Sequence, residues 1–183
     1  MKIRKTPLEG VLEILPKVWE DNRGYFFESF RQDILFGFGI DEKWVQENQS
    51  FSKAGTLRGL HFQKGNFAQA KLVRVISGRV LDVVVDLRVN SLTFGNVYSL
   101  ELDAKLHNML YIPKGFAHGF SVLEDAVFSY KCSNYYHKES EGGILWNDPD
   151  LKIDWKLKDP ILSERDQDWP TLKDFLLKTP EGA

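Results

Sequence analysis

Short segments rich in β-branched and aromatic residues recur about every 8–12 residues along most of the chain, with turn residues between them. Such segments form strands because their side chains pack well on a pleated, half-buried surface. Helical signals are limited to residues 31–38 and 171–178. The pattern therefore predicts an all-β fold, a β-sandwich or barrel with a few short helices. The predicted strands are 12–15, 25–30, 44–48, 59–63, 71–77, 79–87, 97–102, 109–112, 118–123 and 127–133.

The length of 183 residues corresponds to about one domain. The sequence has no internal repeat, low-complexity tract or linker, so residues 1–183 are predicted to form a single domain. Within it, Ser77 and Gly78 predict a tight turn between two strands. From Asp148 onward, prolines and many charges predict irregular cover that ends in a short helix.

The formal net charge of -2 is too small to favour nucleic acid or an anionic membrane surface as a partner. The sequence has neither an apolar signal-peptide core nor an apolar run approaching the roughly 20 residues of a membrane span. Its only cysteine, Cys132, excludes an intrachain disulfide and fits a reducing compartment. We therefore expect a cytoplasmic protein in which Cys132 is a buried or half-buried strand residue.

Residues 57–75 concentrate side chains that suit proton transfer on an anionic substrate. The imidazole of His61 moves a proton near neutral pH, Arg58 is able to grip a phosphate with two hydrogen bonds, and Lys71 is able to stabilise a developing negative charge. A lone strand histidine is more often a hydrogen-bonded core residue, so this alternative stays open. A strict period of two places Arg58 and His61 on opposite faces of the strand, whereas a bulge at Gly59 turns both the same way.

A second histidine, His118, follows a turn rich in proline and glycine and begins another predicted strand. Two strand-borne histidines raise the possibility of a metal site. Metalloproteins with a double-stranded β-helix usually bind the metal through a His-x-His pair and a carboxylate, but here Gln63 stands where the second histidine of the pair falls. We therefore predict no catalytic metal and no other cofactor, and a contact from His118 to phosphate or to a substrate hydroxyl.

One phenol and three carboxylates complete the set of candidate residues. A strand tyrosine such as Tyr130 usually packs its ring, but a phenol opposite a histidine base is also able to act as a general acid. Asp82 and Asp86 share one face of an apolar strand, where buried carboxylates need partners. Asp166 lies in a charged segment that, taken alone, resembles a surface loop or a helix cap. Spacing does not decide which of the three carboxylates orients His61.

Several sequence pieces run in a recognisable order from about residue 12 to residue 172. They are residues 21–30, 46–48, 57–63, 71–75, 78–88, 91–95, 112–120, 130–131, 135–136, 144–149 and 162–166. Each piece alone is a weak signal, but the ordered set is specific. The chain resembles the dTDP-4-dehydrorhamnose 3,5-epimerase family over nearly its whole length.

The resemblance implies a cupin-type β-sandwich, or jelly roll (double-stranded β-helix), that works without metal and forms a homodimer. It also implies double epimerisation at C3 and C5 of a dTDP-4-keto-6-deoxy-hexose, converting dTDP-4-dehydro-6-deoxy-D-glucose to dTDP-4-dehydro-L-rhamnose. Both protons lie next to the C4 carbonyl, so removal of either one gives an enolate. The alternatives are an epimerase that acts at C3 or C5 alone on another such sugar, and a non-catalytic module that binds a sugar nucleotide.

The resemblance also assigns roles to individual residues. By this match His61 is the general base and Asp166 is the carboxylate paired with it. Lys71 lies near the C4 oxygen, and Tyr130 returns a proton from the opposite face, at least at C5. Arg58 and His118 match further active-site positions, of which Arg58 suits the diphosphate. The positions that match the nucleotide site are Arg23, Phe26, Glu28, Gln46, Asn48 and Tyr136.

Overall fold

A computed structural model describes residues 1–179 of the chain. These residues form eleven strands, three short helices and two 3₁₀ turns, at Gly65–Phe67 and Lys138–Ser140, which confirms the predicted all-β class. The strands are β1 (Lys2–Lys5), β2 (Leu12–Leu15), β3 (Val18–Asp21), β4 (Gly24–Phe27), β5 (Gln46–Ser52), β6 (Leu57–Gln63), β7 (Lys71–Asp86), β8 (Val97–Asp103), β9 (Met109–Ile112), β10 (Phe116–Cys132) and β11 (Glu141–Gly143). The helices are α1 (Gln32–Gly37), α2 (Glu164–Gln167) and α3 (Leu172–Lys178). The single-domain prediction extends to residues 180–183, which lie outside the described range, and stays a prediction.

The two long strands, β7 and β10, pair antiparallel and pass through both layers of a sandwich. The first half of β7 and the second half of β10 belong to one layer, with the strand order β1-β2-β9-β7-β10-β5. The other halves belong to the second layer, with the order β8-β7-β10-β6-β11. The rings of Phe120 and Phe128, from the two halves of β10, stack with centroids 4.2 Å apart. The jelly roll therefore closes over an aromatic core.

The tight turn predicted at Ser77 and Gly78 is wrong, because β7 continues through both residues. Gly78 has φ +78°, and a Cβ there would lie 2.0 Å from the carbonyl oxygen of Asp125 on β10. The register between the strands shifts repeatedly from Val122 to Phe128. Both strands bend together at this bulge, so each keeps its hydrogen-bonded partner instead of reversing. For the same reason, the two strands predicted at 118–123 and 127–133 are one strand.

Several predicted boundaries also differ from the structure. Strand β4 ends before Phe30, and β5 begins after Trp44. These two aromatic rings pack edge to face, with centroids 6.4 Å apart, against a core cluster beneath the N-terminal strands. They are core residues carried by loops, which residue type alone does not distinguish from strand residues. Strands β1, β3 and β11 have four residues or fewer, are rich in charge or glycine, and were not predicted.

Residues 80–87, at the end of β7 and just beyond, are buried on both faces. Val80 and Val84 face the core between the layers, whereas Val83 and Val85 face a second core. Trp155 and the residues of α3 cover that second core, so the charged C-terminal part does serve as cover. Cys132 is buried, as predicted. Within residues 1–179 no helix reaches the length and apolarity of a membrane span.

Candidate active site

A cavity of about 630 Å³ lies between the two layers, and α2 covers part of it. This volume falls within the range of small-molecule sites, about 300–1,000 Å³. All four predicted catalytic side chains line the cavity, namely His61, Lys71, Tyr130 and Asp166. Five of the predicted binding residues also line it, namely Gln46, Asn48, Arg58, His118 and Tyr136.

A bulge in β6 brings Arg58 and His61 to the same cavity, which is one of the two arrangements that the sequence left open. His61 is in register with His118 of β10, and Arg58 is in register with Phe120, so β6 carries one extra residue between them. Gly59, inside the bulge, has φ +129°, and a Cβ there would lie 2.5 Å from the Cα of Gly119. Only glycine fits this close approach of two backbones.

His61 forms a dyad with Asp166, whose carboxylate Oδ1 lies 2.5 Å from the Nε2 atom of His61. Helix α2 carries Asp166, and Ser163 caps this helix by accepting a hydrogen bond from the Asp166 backbone N–H. The Asp166 side chain is buried, whereas His61 is partly open to the cavity. Burial raises the pKa of Asp166, but the hydrogen bond and charge of His61 outweigh burial and leave the pKa below its usual range. The dyad thus holds the ring and favours the imidazolium that forms when His61 accepts a proton.

Asp82 and Asp86 have partners other than His61. The Asp82 carboxylate lies 2.8 Å from the Nε2 atom of His118, and both side chains are buried. Burial raises the pKa of Asp82 and lowers the pKa of His118, and their mutual attraction opposes both shifts. Asp86 instead anchors the loop after β7, accepting hydrogen bonds from the side chains of Arg88, Ser91 and Thr93. Of the three carboxylates considered, Asp166 alone contacts His61.

Lys71 and Tyr130 lie in the layer opposite His61, with the Lys71 Nζ 5.9 Å from the centre of the Tyr130 ring. Burial lowers the pKa of the Lys71 ammonium, although the nearby Cys132 and Asp82 oppose this shift. Lys71 carries N–H donors in either protonation state, so it is able to bind a carbonyl or enolate oxygen in both. Burial raises the pKa of the Tyr130 phenol, which keeps its proton available for transfer at neutral pH.

The cavity offers free cations to an anionic ligand. Within residues 1–179, neither Arg58 nor Lys71 forms an ion pair with a carboxylate. The Arg58 Nε donates to the hydroxyl of Ser52, which leaves the rest of its guanidinium for a ligand. Cations without partners are costly in a cleft unless an anion binds there.

Two residues at the cavity mouth were not predicted. The Glu141 carboxylate accepts hydrogen bonds from the Tyr136 hydroxyl at 2.9 Å and from Arg165 at 2.7 Å. Glu141 begins β11, a Glu-Gly-Gly segment without a strand signal, so nothing local indicates it. Arg165 directly precedes Asp166, and this adjacency is the one signal that could have identified it. Gln46, which was predicted, accepts a hydrogen bond from the Tyr136 backbone N–H and donates to Asn48.

The structure does not bring Arg23, Phe26 or Glu28 to the cavity, although the resemblance places them at the nucleotide site. Strands β3 and β4 form a separate hairpin that pairs only with itself. The hairpin packs through Tyr25 and Phe27 against His107, whereas the Phe26 ring is 66% exposed. Arg23 pairs with Asp21 in the turn, and Glu28 pairs with Arg31. In a single chain these residues therefore form a surface of their own.

The residues of the cavity do not fit a metal centre. Within residues 1–179 no three His, Cys, Asp or Glu side chains are grouped as ligands. His61 and His118 are each bonded to their own carboxylate. Gln63, at the position where a metal-binding histidine was considered, accepts a hydrogen bond from the His137 backbone N–H at 3.1 Å.

Comparison with known proteins points to the same family as the sequence motifs. The family model described as dTDP-4-dehydrorhamnose 3,5-epimerase matches residues 5–174. A relative of that name from Escherichia coli is 47% identical over 181 residues, covering 96% of this chain and 97% of the relative.

Two crystal structures extend the likeness to three dimensions. A dTDP-4-dehydrorhamnose 3,5-epimerase from Elizabethkingia anophelis is 54% identical, with a TM-score of 0.91 and coverage of 95% of this chain and 97% of that one. A dTDP-6-deoxy-D-glucose-3,5-epimerase from Legionella pneumophila, in complex with dTDP-4-keto-L-rhamnose, is 44% identical, with a TM-score of 0.90 and coverage of 94% and 93%. This chain belongs to the dTDP-4-dehydrorhamnose 3,5-epimerase family.

Proposed function

We propose that the chain is an isomerase that epimerises dTDP-4-dehydro-6-deoxy-D-glucose at both C3 and C5, giving dTDP-4-dehydro-L-rhamnose. One observation carries the proposal: the His61–Asp166 dyad faces Lys71 and Tyr130 across a single cavity. This arrangement pairs a base on one wall with a cation and a phenol on the other. Inversion of a carbon next to a carbonyl needs a proton to leave from one face and to return to the opposite face, and groups on opposite walls allow both steps.

The reaction begins with proton removal at a carbon next to the C4 carbonyl. The Nε2 atom of His61 is bonded to Asp166, so its Nδ1 atom is free to accept the proton. The ionised Asp166 stabilises the imidazolium that results. Lys71 donates to the C4 oxygen and stabilises the enolate, because the charge lost from the carbon collects there.

The reaction ends when a proton returns to the opposite face of the same carbon. Tyr130 is the proposed donor, since it lies in the layer opposite His61 and burial raises the pKa of its phenol. A solvent proton then restores the tyrosine, and the imidazolium loses its proton before the next cycle. The same sequence at the second carbon completes the double epimerisation.

The remaining cavity residues are proposed to hold the nucleotide. Arg58 and Arg165 supply charge for the diphosphate, and the half-exposed ring of Tyr136 offers a face on which thymine stacks. Gln46 and Asn48 offer amide donors and acceptors beside that ring. His118 contacts a sugar hydroxyl or the phosphate.

The proposal includes a homodimer in which each chain completes the other's nucleotide site. Arg23, Phe26 and Glu28 match nucleotide-site positions but lie outside the cavity of their own chain. The hairpin that carries Arg23 and Phe26 also exposes Trp19 and Tyr25, an apolar surface of the kind that protein partners cover. Docking of a second copy on this surface explains both the exposed apolar side chains and the position of the three nucleotide-site residues outside their own cavity.

The proposed location is the cytoplasm. The single cysteine, Cys132, is a free, buried thiol, which fits a reducing compartment. Neither the charge of the chain nor its cavity calls for nucleic acid or a membrane as a partner.

Solvent exchange tests the proposed function. The purified protein is incubated with dTDP-4-dehydro-6-deoxy-D-glucose in deuterated water, and proton NMR follows the signals of the protons on C3 and C5. We expect deuterium at both positions, together with formation of the L-rhamno product. Exchange at one position alone identifies a single-site epimerase. Binding of dTDP without any exchange identifies a non-catalytic module, and either result overturns the proposal.

A further inference from the structure

Trp169 lies beside His61, the proposed base, but is not among the residues that line the cavity. The indole ring and the His61 ring meet edge to face, with centroids 6.1 Å apart and planes at 69°. Trp169 follows helix α2 by two residues and lies three residues after Asp166. One short segment of chain thus delivers both the carboxylate and the indole that contact His61.

A glycine makes room for this indole. Gly143 of β11 is in register with His61 of β6, so a side chain at position 143 would be the cross-strand neighbour of His61. A Cβ on Gly143 would lie 2.2 Å from Cδ2 of Trp169. The indole therefore occupies the place that a side chain of residue 143 would fill.

The indole is held there by its own segment. The backbone N–H of Leu145 donates to the carbonyl of Pro170 at 2.8 Å, which ties the residue after Trp169 to the chain after β11. Within residues 1–179, the buried Nε1 atom of Trp169 has no hydrogen-bond partner. A buried, unpaired donor is unfavourable, so packing rather than hydrogen bonding determines this position.

We infer that Trp169 is a positioning residue for the proposed epimerisation. Its indole packs in the space that Gly143 leaves open, and there it holds the ring of His61 against rotation. A single hydrogen bond to Asp166 restrains one edge of the imidazole but leaves the ring free to swing about that bond. The edge contact with the indole blocks the swing, so the free ring nitrogen stays directed at the substrate carbon. Trp169 itself exchanges no proton.

The inference rests on the proposed function, and wild-type exchange separates the two. If the wild-type protein exchanges neither C3 nor C5, the proposed function fails. If it does exchange, the variants of Trp169 test the inference alone. A misplacement of about 1 Å in a catalytic group reduces turnover by about 10²-fold.

The first experiment compares Trp169→Ala and Trp169→Phe by steady-state kinetics and by dTDP titration calorimetry. We expect Trp169→Ala to lower kcat by about 10²-fold, with KM and the Kd for dTDP nearly unchanged, because Trp169 is not among the residues that line the cavity. Trp169→Phe should recover most of the loss, since a phenyl ring also presents an edge to His61. The control Trp155→Phe, which alters a buried indole elsewhere, should lower the melting temperature but keep kcat.

The second experiment is a double-mutant cycle, which distinguishes loss of the indole contact from a general defect in folding. Gly143→Ala displaces the indole from this space without deleting it, so it should lower kcat as Trp169→Ala does. In Gly143→Ala with Trp169→Ala the new methyl group no longer meets an indole, so kcat should fall no further than in Trp169→Ala alone. A wild-type kcat in folded Trp169→Ala would overturn the inference, as would losses that multiply in the double variant or a rise in KM that accounts for the whole effect.

Discussion

His61 and His118 face the same cavity, yet their carboxylate partners give them different chemistry. Asp166 has a pKa below its usual range, so it stays ionised beside His61 and favours the imidazolium. Asp82 is fully buried and its pKa is raised, and one of its oxygens has no hydrogen-bond partner. Burial also lowers the pKa of His118, so that ring resists protonation. These different partners support the proposal that His61 is the base and that His118 is a neutral hydrogen-bonding residue.

Removing the imidazole of His61 should lower kcat but leave the affinity for dTDP nearly unchanged. We expect His61→Ala to lower kcat by at least about 10²–10⁴-fold, the usual contribution of a general acid–base group, while the Kd for dTDP changes little. Solvent-exchange NMR measures the first quantity and calorimetry the second. Turnover near the wild-type rate would mean that another group is the base.

Neutralising the dyad carboxylate should lower turnover without unfolding the chain. Asp166→Asn keeps the shape of the side chain but removes the charge that stabilises the imidazolium, so kcat should fall by about 10²-fold or more. Asp168→Asn, on the exposed end of the same segment, is the matched control and should keep wild-type kcat. Equal loss in both variants would show that the segment as a whole, rather than the dyad, is disturbed.

The elements that shape the site are the bulge in β6 and the loop after β7. The bulge turns Arg58 and His61 toward the cavity together, and it depends on the approach of two glycine backbones. The loop after β7 is fixed by Asp86, whose carboxylate collects donors from Arg88 and from two hydroxyl groups. Each element thus depends on one residue, Gly59 or Asp86, whose replacement should change the free energy of unfolding by a predictable amount.

Alanine substitutions at Gly59 and Gly24 should distinguish the cost of backbone strain from the cost of a steric clash. In Gly59→Ala the new Cβ meets the Cα of Gly119 at 2.5 Å and the residue keeps φ +129°, so we expect a loss of about 3 kcal/mol or more in the free energy of unfolding, together with lower activity. Gly24 has nearly the same φ, +132°, with no atom within 4 Å of its would-be Cβ. Gly24→Ala should therefore lose only about 1 kcal/mol, and denaturant unfolding of both variants measures the difference. Equal losses would show that close approach of the strands is unimportant.

The Asp86 cluster should make stability depend on pH in the acid range. Burial raises the pKa of Asp86, but hydrogen bonds from Arg88, Thr93 and Ser91 outweigh it and lower the pKa to about 2. The unfolded value is about 3.9, so the ionised form contributes about 2 kcal/mol of stability above that pH and loses it as the pH falls through about 2. Wild type should exceed Asp86→Asn in the free energy of unfolding at pH 7, and the gap should narrow as the pH approaches 2. A constant gap across this range would contradict the assignment.

At the scale of the whole molecule, Arg23, Phe26 and Glu28 match nucleotide-site positions by resemblance but lie outside the cavity of their own chain. The β3–β4 hairpin exposes Trp19, Tyr25 and Phe26 on a surface apart from the cavity. In the proposed homodimer this surface is covered, and the hairpin reaches the partner's nucleotide site. Two-fold symmetry then gives each dimer two equal sites, each built from two chains.

Mixing two defective variants should therefore restore activity. A His61→Ala chain and a chain with both Arg23→Ala and Phe26→Ala are combined, unfolded and refolded together. Half of the dimers are then mixed, and each mixed dimer has one intact site, so about a quarter of wild-type activity should return at low substrate concentration. His61→Ala mixed with Asp166→Asn is the control, and it should stay inactive because both changes fall on the same side of every site. Lack of recovery in the first mixture, with dimers present by sedimentation, would show that the hairpin does not complete the site.

Local sequence determined much of the fold. The recurrence of segments rich in β-branched and aromatic residues predicted most strands, because each such side chain packs well on a pleated strand. Local reasoning also offered a bulge at Gly59 as one of two arrangements of Arg58 and His61, and the structure adopts it. The same reasoning failed at Gly78, where a glycine that permits a turn also permits a bend. The partner strand β10, more than 40 residues away, decides between the two.

Only the tertiary structure decided which groups meet. Asp166 lies 105 residues from His61. Spacing did not choose among the three carboxylates; only the family resemblance named Asp166, and the tertiary structure shows the contact. Glu141 and Trp169 enter the site from segments that have no functional pattern, whereas Arg23, Phe26 and Glu28 match one but lie elsewhere in their own chain. The physical reason is that hydrogen-bond geometry and side-chain alternation act between neighbours in sequence and so leave a local pattern. The pairing of distant side chains depends on how strands bend and layers close, which no local pattern records.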